Sequence, residues 1–165
     1  MKHFIAAAVL LLSAVPVPAA AQNFELEKLF PQVQCMALNV YYEARGSNLA
    51  DQAAVADVVM NRVNDRRYPN TVCEVVKQGM KNADGSMKRH ACQFSWYCDG
   101  KSDKPKDQDR WVEAQSIAWN MVEEGKFRGI TEGATHYHAT YVEPRWAKTL
   151  QLVGRIGAHI FYRWE

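Results

Sequence analysis

The chain has 165 residues, a formal net charge of +2, four cysteines and 48% hydrophobic residues. That is enough for one domain with a real core, and the near-neutral balance argues against a nucleic-acid binder. Basic residues in Lys101–Arg110 alternate with acidic ones, which reads as a solvated loop rather than a basic patch.

Lys2 and His3 precede an apolar run, Phe4 to Val15, that is too short to cross a bilayer. Ala19-Ala20-Ala21 before Gln22 fits a small-residue cleavage site. The pattern predicts a secretory signal peptide over residues 1–21, cut after Ala21. The product is then periplasmic or secreted, with no stable membrane insertion. Residues 22–34 read as a short mature leader, in which Glu25 to Phe30 form a helical turn ended by Pro31. Residues 35–165 read as one folded domain.

A helix is predicted over the stretch from Cys35 to Gly46. Met36, Asn39, Val40 and Glu43 recur at i, i+3, i+4 and i+7 and so share a face. Gly46 stands where a helix stops in a left-handed cap. Glu43 thus lies in the last turn beside apolar neighbours. Burial there raises a carboxyl pKa, as a general acid near neutral pH requires. The plainer reading is a solvated Glu, or one paired to Arg45 or to a distant Arg.

All four cysteines, Cys35, Cys73, Cys92 and Cys98, fall in the exported part, which predicts two disulfides. Three connectivities remain open. Cys92 can bridge Cys98 only if the chain turns between them. Zinc-type spacing is missing, and no metal is expected.

Ser47 or Asn48 caps the next predicted helix, Ala50 to Asn64, with Asp51 in its first turn. Its many alanines and valines make it apolar on most sides and hence central. Asn61 and Arg62 at its far end suit capping and salt bridging. Asn70 or Thr71 caps a short helix, Val72 to Gln78. Asp84-Gly85 is a hairpin signal between Gly79–Lys81 and His90–Tyr97, a small β lobe of two or three strands. A further helix spans Gln108 to Glu124, with Gly125 as its stop. Ala134 to Ala139 alternates like a strand, and His159 to Tyr162 reads as β. The whole is one α+β domain in which helices dominate.

His136 and His138 are two apart, so on a strand both point the same way. With Glu43 as base or third ligand they would make a zinc amidase. A hydrogen-bonding role in a glycan groove is at least as natural. Ser95 lacks the signs of an activated nucleophile.

The ordered blocks Ala37–Gly46, Gln52–Ala56, Asn61–Val63, Tyr68–Val72, Gln93–Ser95 and Thr135–Tyr137 resemble those of the SleB-type cell wall hydrolases. That family holds spore cortex-lytic enzymes and their relatives in non-sporulating bacteria. The resemblance runs from about Cys35 to near the C-terminus. It implies a lysozyme-like domain that cuts peptidoglycan glycan strands, with Glu43 at the catalytic position and residues 35–165 as the catalytic domain. Ser47 stands where family members often carry an acidic residue. The chain lacks the peptidoglycan-binding repeat of spore members, so no spore role is expected.

On this basis the expected substrate is the glycan strand, cut between N-acetylmuramic acid and N-acetylglucosamine by a lytic transglycosylase with one Glu. No cofactor is expected, and a monomer is. Gln93, Ser95, His136 and Tyr137 are the expected hydrogen-bonding contacts to sugar, and Trp96, Tyr41 and Trp146 the expected ring contacts. A metal-dependent N-acetylmuramoyl-L-alanine amidase and a non-catalytic glycan-binding module are the alternatives.

Overall fold

The computed structural model describes residues 30–165, so the expected signal peptide and most of the expected leader lie outside the described residues. The first described helix, α1, is Pro31–Ala44. It starts before Cys35, and Pro31 opens it instead of ending a preceding turn. The first helical position suits proline, whose missing N–H would have no partner there and whose φ is preset. Gly46 follows the end of α1 at φ 85°, as expected. Ser47 N donates to Ala44 O nearby, at 3.0 Å.

Helix α2 is Leu49–Val63, capped by the Asn48 side chain, which accepts from Asp51 N at 2.9 Å. Its residues from Asp51 to Val59 are all buried, so it is the central helix its composition predicts. Helix α3, Val72–Val76, is a short turn capped by Thr71. Helix α4, Gln108–Val122, packs Trp111, Ala114, Ile117, Ala118 and Met121 inward. Asp107 caps it, and Gly125 beyond it has φ 65°. Helices α1, α2, α3 and α4 share the main core with Phe94 and Trp96.

The predicted β lobe is a two-stranded antiparallel hairpin, β1 (Gly79–Lys81) with β2 (Met87–Cys92). The second strand stops at Cys92, and Ser95–Cys98 winds into a 3₁₀ turn. A second sheet is antiparallel in the order β3–β5–β4, with β3 His136–Ala139, β4 Gln151–Ile156 and β5 His159–Arg163. Phe161 of β5, fully buried, packs on Ala54 and Val58 of α2. The sheet thereby rests against the central helix, near the end of α1. This mixed, helix-rich architecture is the expected fold class.

Two disulfides join Cys35 to Cys73 and Cys92 to Cys98, with Cα atoms 5.2 and 6.1 Å apart. The first ties α1 to α3; the second closes a small loop because the 3₁₀ turn brings its ends together. Cys35 and Cys73 are 38 residues apart. Closing a loop of that length in the unfolded chain is worth about 3–4 kcal/mol. The double replacement Cys35→Ser with Cys73→Ser should therefore lower the unfolding free energy by about that amount and move the urea midpoint down, with the slope rising as the unfolded chain expands. A midpoint within error of the parent would mean the unfolded chain gains nothing from the bond.

Candidate active site

The apolar stripe of α1 buries Met36, Asn39 and Val40 completely and leaves Glu43 half-buried in the last turn. A carboxylate at a helix C-terminus also opposes the helix dipole. Burial pushes the Glu43 carboxyl above its ordinary value, and three weaker influences oppose the rise. They are a hydrogen bond from Tyr137 and the charges of His159 and Arg62.

Tyr137 Oη donates to Glu43 Oε2 at 3.1 Å. Burial raises the Tyr137 phenol well above its usual range, so it stays a donor. Strand β3 positions it. Tyr137 pairs with Phe161 in the ladder and its ring tilts on that of Phe161 at 5.7 Å. Thus the sequence-predicted Glu43 and Tyr137 come together.

His136 and His138 do not join them. Strand residues alternate sides, so both histidines lie on the face of β3 opposite Tyr137. There His136 packs on Trp146 at 5.4 Å, and His138 stacks on Tyr162 at 5.3 Å. The ring nitrogens of His138 meet Ala139 O at 2.9 Å and Tyr162 Oη at 3.1 Å. His136 Nδ1 lies 3.0 Å from Thr135 Oγ1, and burial with the Arg62 and Arg67 charges brings its pKa down to about 4. A metal site built from Glu43 and this pair is therefore corrected by strand parity. Trp146 belongs with the histidines, away from Glu43.

Arg62 is the residue whose placement the sequence reading missed. It was expected at a helix end in capping or salt bridging; it is buried, only 5% exposed. Its Nε donates to Thr135 O at 2.8 Å, and its guanidinium sits 5.4 Å from the Tyr68 ring and 5.3 Å from that of Phe94. Arginine keeps its charge even here. Its Nη1 has no partner among the described residues. Its positive charge acts on Glu43, opposing the rise that burial causes.

A second missed group lies behind Tyr137. Asp51 Oδ1 meets His159 Nδ1 at 2.8 Å, and Asp51 Oδ2 accepts from Ala158 N at 3.1 Å. The His159 ring stands edge-on to Tyr137, with centroids 5.1 Å apart. Gly157 makes this approach possible: at φ 57°, a Cβ there would lie 2.6 Å from Asp51 Cβ. Asp51 was expected only to complement the dipole of its helix.

The other sequence candidates gather on the adjoining side of α1. Tyr41, Ser95 and Trp96 border a cavity of about 500 Å³ together with Tyr42 and Arg45. Trp96 is buried; its indole N–H donates to Asn39 Oδ1 at 3.2 Å and its ring stacks on Tyr42 at 4.9 Å. The Tyr41 hydroxyl accepts from Lys106 N and Asp107 N, each at 3.0 Å, and so pins the chain entering α4. Ser95 and Gln93 are exposed, and Gln93 does not border the cavity. Glu43 itself does not line the cavity, although its neighbours Tyr42 and Arg45 do. The expected catalytic Glu43 and the cavity are thus separate features of the same end of α1.

The profile of a family described as Cell Wall Hydrolase matches residues 46–162. The match starts just after Glu43. Among characterised proteins, the spore cortex-lytic enzyme of Bacillus cereus is 48% identical over 44 residues, covering 27% of this chain and 17% of the relative. That of Oceanobacillus iheyensis is 48% identical over 44 residues, covering 27% and 16%. The chain thus spans only a small part of these relatives. Among solved structures, the catalytic domain of the Bacillus cereus SleB protein aligns at a TM-score of 0.57 and 26% identity, covering 80% of this chain and 89% of that one. The catalytic domain of the germination-specific lytic transglycosylase SleB from Bacillus anthracis aligns at 0.60 and 27% identity, covering 81% and 95%.

Proposed function

Because the chain belongs to the cell wall hydrolase family, we propose that it cuts the glycan strand of peptidoglycan as a lytic transglycosylase, with Glu43 as the one catalytic carboxylate. The observation that carries this reading is the Glu43 carboxyl itself. Burial raises it, the Tyr137 hydroxyl donates to it, and the Arg62 charge acts on it. Most glycosidases that admit water use two carboxyl groups, about 5–5.5 or 6.5–9.5 Å apart. A lone acid suits a reaction in which the sugar supplies its own nucleophile. The likeness to a domain described as a lytic transglycosylase supports the same reading.

In the proposed reaction the Glu43 proton moves to the oxygen that links N-acetylmuramic acid to N-acetylglucosamine. The bond from that oxygen to muramic C1 breaks, and C1 takes on oxocarbenium character. Glu43, now negative, is stabilised by the Tyr137 hydroxyl and by the Arg62 charge. It then takes the proton of the muramic 6-hydroxyl as that oxygen bonds to C1. The product is a 1,6-anhydro ring, and Glu43 is protonated again. Gln93, Ser95 and Trp96 supply contacts to the sugars, and Tyr41 acts by holding the loop before α4. Since the export signal belongs to the same reading, the enzyme works in the periplasm or outside the cell, as a monomer.

Digestion of purified sacculi followed by mass spectrometry tests the chemistry. Anhydromuramyl ends are expected. Reducing muramyl ends would replace the transglycosylase by a water-using muramidase, and free stem peptides by an amidase.

The pH profile gives a second test. Glu43 must be protonated to act, so the alkaline limb of kcat/KM reports its pKa. The Tyr137 hydrogen bond lowers that pKa. Tyr137→Phe removes it, and the alkaline limb should move to higher pH while the rate at the optimum falls about tenfold. A limb that stays in place would remove Tyr137 from the acid's environment.

A further inference from the structure

The cavity beside Glu43 has a lining that a bare glycan does not call for. One wall is aromatic, formed by Tyr42 stacked on Trp96. The other is cationic. Arg45, Lys104 and Lys106 border the space, and none of them pairs with a carboxylate among the described residues. The Arg45 guanidinium is held over the Tyr41 and Tyr42 rings, 4.9 and 5.6 Å from their centroids. Aromatic faces orient it and leave its hydrogen-bonding fork free for an anion.

Two carboxylates also reach the cavity, Asp99 and Asp103. Asp99 is engaged by Lys101, through the backbone N–H at 2.8 Å and the ammonium at 3.5 Å. Burial, and the charge of Asp99, push the Asp103 carboxyl upward. Even with both carboxylates charged, the cations Arg45, Lys101, Lys104 and Lys106 outnumber them. The charge left uncompensated in the cavity is positive.

From this lining we infer that the cavity binds the acidic peptide stem carried on the muramic lactyl group of peptidoglycan, with its carboxylates on Arg45 and Lys104. The inference deepens the glycan-cutting reading and rests on it. Asn39 precedes Glu43 by one turn on the same face of α1; Trp96 bonds to Asn39, stacks on Tyr42 and borders the cavity, so a stem leaving a muramic ring at Glu43 reaches the cavity across Trp96. A space of about 500 Å³ is of the size that takes a small ligand, here two or three residues of the stem. The enzyme then selects strands that still carry peptides over strands that have been stripped.

Two measurements test this on the mature protein. In the first, kcat/KM is compared on peptide-bearing glycan strands and on the same strands stripped by an amidase. The parent should favour peptide-bearing strands by about tenfold or more, the size of a charge-assisted contact. In the double variant Arg45→Gln with Lys104→Gln that ratio should fall to near one; an unchanged ratio overturns the assignment. In the second, Glu43→Gln is titrated with the free tripeptide L-Ala-D-Glu-diaminopimelate while tryptophan fluorescence is followed. Saturable quenching is expected, about tenfold weaker when Arg45→Gln is added and weaker at high salt. No saturable change, or the same affinity in both proteins, overturns the peptide site even if strands are cut. Saturable binding by a protein that cuts no strand keeps the peptide site and removes the glycosidase reading instead.

Discussion

Glu43→Gln is expected to lower the release of soluble fragments from sacculi by about a thousandfold or more while leaving the fold intact. A positioned acid that later serves as base contributes to both halves of the reaction, and each role alone is worth about 10²–10⁴-fold. The amide keeps the size and the acceptor oxygen for Tyr137, but has no acidic proton to give. Binding of the variant to sacculi should persist, which separates an enzyme from a glycan-binding module. A variant that cuts as fast as its parent would remove Glu43 from the chemistry under any enzymatic reading.

The same substitution makes an independent prediction about stability. Burial raises the Glu43 pKa in the folded protein, so folding favours the protonated form. The associated stability is fully present below the unfolded carboxyl value and is lost as pH rises through the folded one. Glu43→Gln has no proton to lose. Its stability relative to the parent should therefore climb with pH from the ordinary carboxyl range upward and level off above the folded pKa. Parallel denaturation curves from pH 4 to 8 check the sign. A constant difference would mean that Glu43 is no more protonated in the folded state than in the unfolded one.

The helices were legible in the sequence because their signals are local. Asn48 and Thr71 cap where their side chains predict, Gly46 and Gly125 mark helix ends, and the apolar periods of α1 and α4 face the core. Glu43 was legible for the same reason, from its spacing to Met36 and Val40. What surrounds Glu43 was not. Alternation along β3 says that His136 and His138 share a face, but not which face meets α1; the packing of Phe161 on α2 decides that, and sends Tyr137 inward. Arg62 read as a helix-end charge because periodicity says nothing about a strand that later covers it. Asp51 and His159 are 108 residues apart, and their meeting depends on the return of β5 to the start of α2. The disulfide pairing was open on similar grounds, since the turn over Ser95–Cys98 is what brings Cys92 and Cys98 together.

Asp51→Ala is expected to cost about 3–5 kcal/mol of stability and, in the folded fraction, to slow cleavage. The Asp51 side chain is fully buried and the His159 ring nearly so. Removing the carboxylate leaves the His159 Nδ1 and the Ala158 N–H without their partner, and each unsatisfied buried group costs about 1–3 kcal/mol; the loss of a buried pair by deleting one side lies in the same range. Asp51→Asn keeps an acceptor and should recover more than half of the loss. The two residues should also fail to add. In a double-mutant cycle with His159→Gln, a coupling above about 1 kcal/mol is expected, because the groups touch and share no other acid. The effect on the reaction runs through Tyr137. Its ring rests on the edge of His159, and its hydroxyl reaches Glu43 from there. A small displacement of that ring misplaces the acid, and errors of about 1 Å in such groups cost up to a hundredfold in rate. The fall should therefore appear in kcat with sacculus binding retained, and Asp51→Asn should restore part of it. If Asp51→Ala unfolds at the parent's urea concentration, the pair adds nothing to the fold; if it is destabilised yet keeps the parent's kcat, the pair supports the sheet without positioning Tyr137.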